Sequence, residues 1–176
     1  MILKQCAQSV CTPLSLIFRH SLESRSLPKS WKLANISPIF KKGSKTNPAN
    51  YRPVSLTSVV CKVMETLVKD KIVDYLERTK VLSDKQHGFT RGRSCLTNLL
   101  ETFNEWTQAL DDGYGLNVVY VDYRKAFDTV PQRKLIEKLH GYGITVNLLK
   151  WIEDFSRGRK SRVKVNGSSS DRCEVL

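Results

Sequence analysis

Apolar and polar positions follow one another along this chain with a period that changes several times. From Ser58 onward Val60, Met64, Leu67, Val68, Ile72, Tyr75 and Leu76 recur three and four apart, which keeps one helix face apolar and predicts a helix of about five turns. A second helix is expected from Ser94, an apt N-cap, with Leu96, Leu99, Leu100, Phe103, Trp106 and Leu110 as its stripe. Pro131 suits the first turn of a third, carrying Leu135, Ile136 and Leu139. Thr145 to Phe155 reads as a fourth, with Leu148, Leu149, Trp151, Ile152 and Phe155 inward.

Between residues 28 and 53 the pattern breaks at Pro28, Pro38, Pro48 and Pro53. Ala34 to Phe40 fits a short strand there, and KKGSKTNPAN an exposed basic turn. Residues 79 to 94, TKVLSDKQHGFTRGRS, form a loop with Gly88 and Gly92 as its flexible points. The unbroken run Leu116 to Val121 reads as a buried strand that ends on Asp122. Val163 and Val165 alternate ahead of Asn166-Gly167, a strong hairpin signal. The residues up to Phe18 read as part of a core helix rather than a signal peptide, because Lys4 and Gln5 interrupt the apolar stretch. Helices and strands are interspersed without regular βαβ units, which favours an α+β fold.

Charge adds a direction. Residues 1 to 64 hold ten Lys or Arg against the single acid Glu23, a net of +9, and the remainder carries +3. That asymmetry favours a polyanionic partner, although a basic surface kept for solubility has the same composition. No apolar run is long enough to span a membrane, so no membrane partner is expected and an intracellular protein is. The five cysteines are odd in number and scattered without metal-ligand spacing; most read as reduced core residues, with no disulfide framework and no zinc.

A strand that ends in a carboxylate is a weak signal alone, since Asp also caps helices. A strand-end Asp122 can nevertheless offer a hard oxygen ligand to Mg²⁺, with substrate phosphates and waters completing the shell. A second carboxylate on another strand would allow a two-metal site for nucleotidyl transfer. The stretch VVYVDYRKAFDTV resembles the first palm motif of reverse transcriptases of the LINE-type (non-LTR) retrotransposon branch. LPKSWKLANISPIFKKG, NYRPVSLTSVVCKVMETLVKDKI, LSDKQHGFTRGRSCLTNLL and WIEDFSRGRKSRVKVNG resemble other blocks of that branch, in its order. The resemblance covers roughly residues 10 to 176.

It implies a right-hand polymerase: fingers plus partial palm, cut before the remaining palm motifs and thumb. Residues 1–112 would be an N-terminal helix and fingers, 113–158 the first palm strand and helices, and 159–176 a β-hairpin. Asp122 would be the catalytic metal ligand and the Tyr123 carbonyl a further Mg²⁺ contact. Lys41, Lys42 and Arg52 would hold the dNTP triphosphate, Lys42 being the favoured lysine; Lys45 is read as a solvated turn residue. Phe127 would pack under the incoming sugar and exclude a 2′-OH, where the residues alone suggest a plain core aromatic. Gln86, Arg91, Arg93, Arg159 and Arg162 would lie along the template, with Phe89 anchoring the loop. Asp128 would bond the backbone of residues 129 to 133. RNA template, DNA primer and dNTP are the partners implied.

A Pro-Gln-Gly block and a paired-aspartate turn, which the family places after the first palm motif, do not occur in these residues. The polypeptide by itself is therefore expected not to polymerise DNA, and Leu116–Val121 to have an unpaired edge and exposed apolar surface. Two alternatives are a non-catalytic nucleic-acid-binding fragment with basic fingers and a non-functional relic.

Overall fold

The computed structural model describes residues 5–123, 126, 127 and 129–175. In chain order the elements are α1 (Ala7–Glu23), a 3-10 turn (Lys29–Lys32), β1 (Leu33–Phe40), a 3-10 turn (Pro48–Asn50), β2 (Tyr51–Leu56), α2 (Val59–Arg78), α3 (Cys95–Asp111), α4 (Gln132–Gly141), α5 (Val146–Ser156), β3 (Lys160–Val165), β4 (Ser168–Ser169) and β5 (Cys173–Glu174). Among the described residues, five helices and one mixed sheet make a mixed α/β protein. The chain divides into two compact units, Met1–Val73 with Pro131–Leu176, and Asp74–Val130.

The first unit holds the core. Leu27, Trp31, Cys61, Met64 and Trp151 are buried together, with Phe18, Val60, Val68, Leu148, Ile152 and Phe155 packed around them. These side chains come from α1, the segment and 3-10 turn after it, α2 and α5. The α5 helix buries the predicted face, whereas in α2 Cys61 joins the core beside Val60, Met64 and Val68, and Leu67 of the predicted stripe is exposed. Burying each large apolar side chain is worth about 1.5–3 kcal/mol. The polar groups within this packing are matched: Trp151 Nε1–H donates to Ser21 Oγ at 3.0 Å, and Ser21 Oγ–H donates to the Ser26 carbonyl at 2.6 Å. Asp154 joins two segments, accepting from Leu27 N–H at 2.7 Å and from Lys32 Nζ at 2.7 Å.

The sheet runs β2-β1-β3-β4, with β5 also paired to β3. β1 and β2 are antiparallel, whereas β1 and β3 are parallel, Leu33 to Ile36 facing Lys160 to Val163. Pro38 sits opposite Pro53, a tolerable pairing only where neither proline must donate. The Lys41 N–H to Asn50 carbonyl bond of 2.8 Å fixes the alternation of the ladder. That alternation puts the two prolines at a non-hydrogen-bonded position. Pro53 then lies on an edge strand and Pro38 beyond the β3 register, where neither breaks a ladder. The Asn-Gly turn forms as expected: Asn166 and Gly167 have φ of 48° and 84°, as a type I′ hairpin demands, and Val165 faces Ser168.

The second unit is built differently. Ser94 caps α3 through a capping box with Thr97, the Ser94 hydroxyl accepting from Thr97 N–H at 3.2 Å and Thr97 Oγ1 from Ser94 N–H at 2.8 Å. The expected stripe is present but uncovered, since Leu96, Leu99, Leu100, Phe103 and Leu110 are all exposed.

Two expectations need correction. Leu116–Val121 joins no ladder among the described residues, and Val119, Tyr120 and Val121 are exposed. Its apolar run has no partner strand there to satisfy its backbone, so it is not a buried strand; the exposed apolar surface is as expected. Of the cysteines only Cys61 is buried, while Cys6, Cys11, Cys95 and Cys173 lie at the surface. Burial and a hydrogen bond to Glu65 push the Cys61 thiol up to about 12, so it packs as an inert apolar group. Asp128 lies outside the described residues.

Candidate active site

Asp122 and Tyr123 are exposed at the end of the extended segment, in the second unit. A solvent-facing carboxylate beside a main-chain carbonyl is a hard-oxygen pair. Such a pair suits Mg²⁺, which is often bound by one or two carboxylates plus phosphates and waters. No group of three His, Cys, Asp or Glu that could hold a metal ion occurs among the described residues. Phe127 follows in a turn and is also exposed. It is not the core aromatic that its residue type alone suggests.

In the same unit the loop from Gln86 to Ser94 is braced along its length. His87 is buried, with Nδ1 2.9 Å from Thr97 Oγ1 and Nε2 2.9 Å from Glu101 Oε2. A carboxylate only accepts, so the Glu101 contact calls for a proton on Nε2, whereas Arg93 Nη1, 3.3 Å from the same nitrogen, can only donate. Arg93 Nη1 lies 3.7 Å from the same carboxylate, and Lys85 Nζ bridges Glu101 at 2.6 Å and Glu105 at 2.5 Å. Lys85 first and His87 next hold the Glu101 carboxyl below its ordinary value, and the two carboxylates raise Lys85. Arg91 pairs with Asp74 at 3.2 Å, and Gln86 Nε2–H donates to the Gly88 carbonyl at 3.2 Å. Phe89 does not bury itself as an anchor. It is 91% exposed at a φ of 57°, and its ring meets Phe127 edge to face, centroids 6.0 Å apart. His87, Lys85 and Glu101 are the residues that sequence reasoning passed over. The signal was Thr97, Glu101 and Glu105 at four-residue spacing, a polar stripe along one face of α3.

The first unit carries the other candidates. The turn joining β1 to β2 displays Lys41 and Lys42, and Arg52 stands on edge strand β2. None of the three has an ion-pair partner among the described residues. Gly43 closes this turn at a φ of 89°, and a Cβ there would come within 2.7 Å of the Asn50 side chain. Lys45 Nζ lies 5.9 Å from the centre of the Phe40 ring, so this lysine covers an aromatic face. Arg159 and Arg162 are half-buried and engaged. The Arg159 guanidinium stacks over Phe155 at 4.5 Å and donates to its carbonyl at 3.1 Å. Arg162 Nε donates to Asn35 Oδ1 at 2.8 Å, across the parallel β1–β3 pairing.

Residues 39–175 match the family model for reverse transcriptase (RNA-dependent DNA polymerase). The chain belongs to the reverse transcriptase family. The match takes in all the candidate residues above, from Lys41 to Arg162. A probable RNA-directed DNA polymerase from transposon BS of Drosophila melanogaster is 34% identical over 164 residues, 89% of this chain and 17% of that protein. The corresponding protein of the X-element in the same species is 32% identical over 129 residues, 73% of this chain and 14% of its own length. The Pol polyprotein of type-1 retrotransposable element R2 from Popillia japonica is 27% identical over 162 residues, 91% of this chain and 22% of the polyprotein. The reverse transcriptase segment described here thus spans about a sixth of the length of the first two relatives. These mobile-element relatives agree with the non-LTR branch that the sequence blocks resemble.

Proposed function

We propose that this chain is the fingers and first palm segment of a non-LTR retrotransposon polymerase that copies RNA into DNA. The family match over residues 39–175, with an exposed Asp122 inside it, carries the reading. In this proposal residues 1–112 form the N-terminal helix and fingers, 113–158 the first palm segment, whose run Leu116–Val121 would pair as a strand only in the whole polymerase, with its helices, and 159–176 the hairpin. Family members generally use divalent metal ions. Asp122 and the Tyr123 carbonyl would hold Mg²⁺, which when bound draws off the charge of phosphate oxygens.

The chain's own residues would do the rest. Lys41 or Lys42 supplies a mobile positive charge to the triphosphate, and Arg52 a planar fork able to grip two oxygens. Their lack of acidic partners among the described residues keeps them available for an anion. Phe127 stands under the incoming sugar, where its bulk meets a 2′-OH. Gln86, Arg91, Arg93, Arg159 and Arg162 line the template path. On this proposal Asp122 without a second palm carboxylate could not hold two metal ions, so these 176 residues by themselves would bind without extending a primer.

The test is Mg²⁺-dependent primer extension on an RNA template by the whole polymerase that contains this segment. Asp122→Asn is expected to abolish it; extension that survives the substitution removes Asp122 from the chemistry. A binding-only role has its own support in the cations of the β1–β2 turn, Lys41 and Lys42, which have no ion-pair partner among the described residues. Salt-sensitive RNA binding that neither requires Mg²⁺ nor changes in Asp122→Asn, together with no extension by any form of the protein, would favour it.

A further inference from the structure

We infer that Phe89 is a positioning residue for Phe127, and so a determinant of which sugar the polymerase accepts. The inference rests on the proposed role of Phe127 and goes beyond it to the neighbour that holds the ring. Phe127 is 80% exposed, on a turn, which leaves a lone phenyl free to swing. Phe89 stands against it with an interplanar angle of 89°, the edge-to-face arrangement that aromatic rings favour. The loop is tied on either side of Phe89: His87 is buried against Thr97 and Glu101, and Arg91 reaches Asp74. Phe89 itself adopts a left-handed backbone at a φ of 57°, uncommon for a bulky residue and readily met by glycine or asparagine. An aromatic ring kept in that conformation, exposed and aimed at Phe127, has its explanation in the ring contact. Losing the pair should allow Phe127 to move aside for a 2′-OH, at about two- to tenfold in discrimination, the worth of one such ring pair.

The experiment measures the dNTP-to-rNTP incorporation ratio of the whole polymerase carrying Phe127→Val, Phe89→Ala, Phe89→Gly or Phe89→Tyr. Alongside it, ring-labelled NMR of this chain follows the Phe127 resonances. Phe89→Gly guards against misfolding, because glycine suits the left-handed backbone. The expected result is that Phe127→Val relaxes selection most, Phe89→Ala and Phe89→Gly relax it about two- to tenfold, and Phe89→Tyr keeps it. The Phe127 ring signals should shift in the alanine and glycine variants. If Phe127→Val relaxes selection while Phe89→Ala and Phe89→Gly leave it unchanged, or if the ring signals do not move, the inference is overturned and the sugar-gate reading stands. If Phe127→Val has no effect on selection, the gate reading fails and the inference goes with it.

Discussion

The two units of this chain are opposites in charge and in packing. The first carries 22 Lys or Arg against 8 Asp or Glu, a net of +14; the second carries 7 against 9, a net of −2, and together they give the chain's +12. All the buried hydrophobic side chains lie in the first unit, and the second contributes only His87 to the buried residues described. The candidate loops differ as well: Lys85, Arg91 and Arg93 sit in ion pairs with Glu101, Glu105 and Asp74, whereas Lys41, Lys42 and Arg52 have none among the described residues. A packed, electropositive unit is suited to hold an anion on a stable frame. A lightly packed unit organised by paired charges is suited to present loops.

The packing half of this contrast has the largest expected consequence. Trp151→Ala should destabilise the first unit by about 3–5 kcal/mol, the usual cost of removing a buried large aromatic. Phe103→Ala, on the exposed face of α3, should cost less than about 1 kcal/mol. Urea denaturation followed by circular dichroism measures both, and equal losses would show that α3 is covered in solution. Asp154→Ala comes next. It leaves the part-buried Leu27 N–H without its acceptor, for about 1–3 kcal/mol, and a loss no larger than that of a surface substitution would remove the clamp from the account.

The charge half predicts a difference in salt response. Lys42→Ala and Arg52→Ala should each lower the slope of log binding constant against log salt for RNA by about 0.7–0.9. Arg91→Ala should change it less, because its charge is already matched by Asp74. Fluorescence anisotropy with a labelled single strand decides the order; a larger effect at Arg91 would move the anion contact to the second unit.

Local chemistry was legible before the structure. The helix starts at Ser94 and Thr145, the stripe of α5 and the Asn166-Gly167 turn depend on residues close in sequence, and all formed as expected. What failed depends on distant partners. Leu116–Val121 has every local mark of a strand, but a ladder needs a second strand and no local pattern reveals whether one is at hand. The hydrogen bond of Arg162 to Asn35 is equally hidden from local sequence, because it crosses a parallel pairing between residues 127 apart. Asp154 is a like case, its partners lying more than 120 residues away. The family was legible in the order of its blocks, and the roles proposed for Asp122 and the β1–β2 cations rest on that resemblance.

The smallest expected effect belongs to the paired charges of the second unit. The Glu101 carboxyl is held below its ordinary 4.5 by hydrogen bonds from Lys85 and then His87. A depressed carboxyl stabilises the folded state above its unfolded value and loses that contribution as pH falls through the lower, folded value. Lys85 runs the other way: raised above 10.5 by Glu101 and Glu105, it contributes fully below its unfolded value and loses this as pH climbs through the higher, folded one. Neutral solution therefore keeps both contributions, and acid below about pH 4.5 is where the loop brace should weaken first. Because both groups face solvent, salt should shrink the effect. Hydrogen exchange of the amides from Gln86 to Thr97, followed from pH 6 towards pH 3 and corrected for intrinsic rates, is expected to lose protection in the wild type. In Glu101→Gln protection should start lower and vary little with pH. An unchanged pH profile in that variant would mean that the loop is held by the Ser94–Thr97 capping box alone, leaving the ion pairs as surface charge.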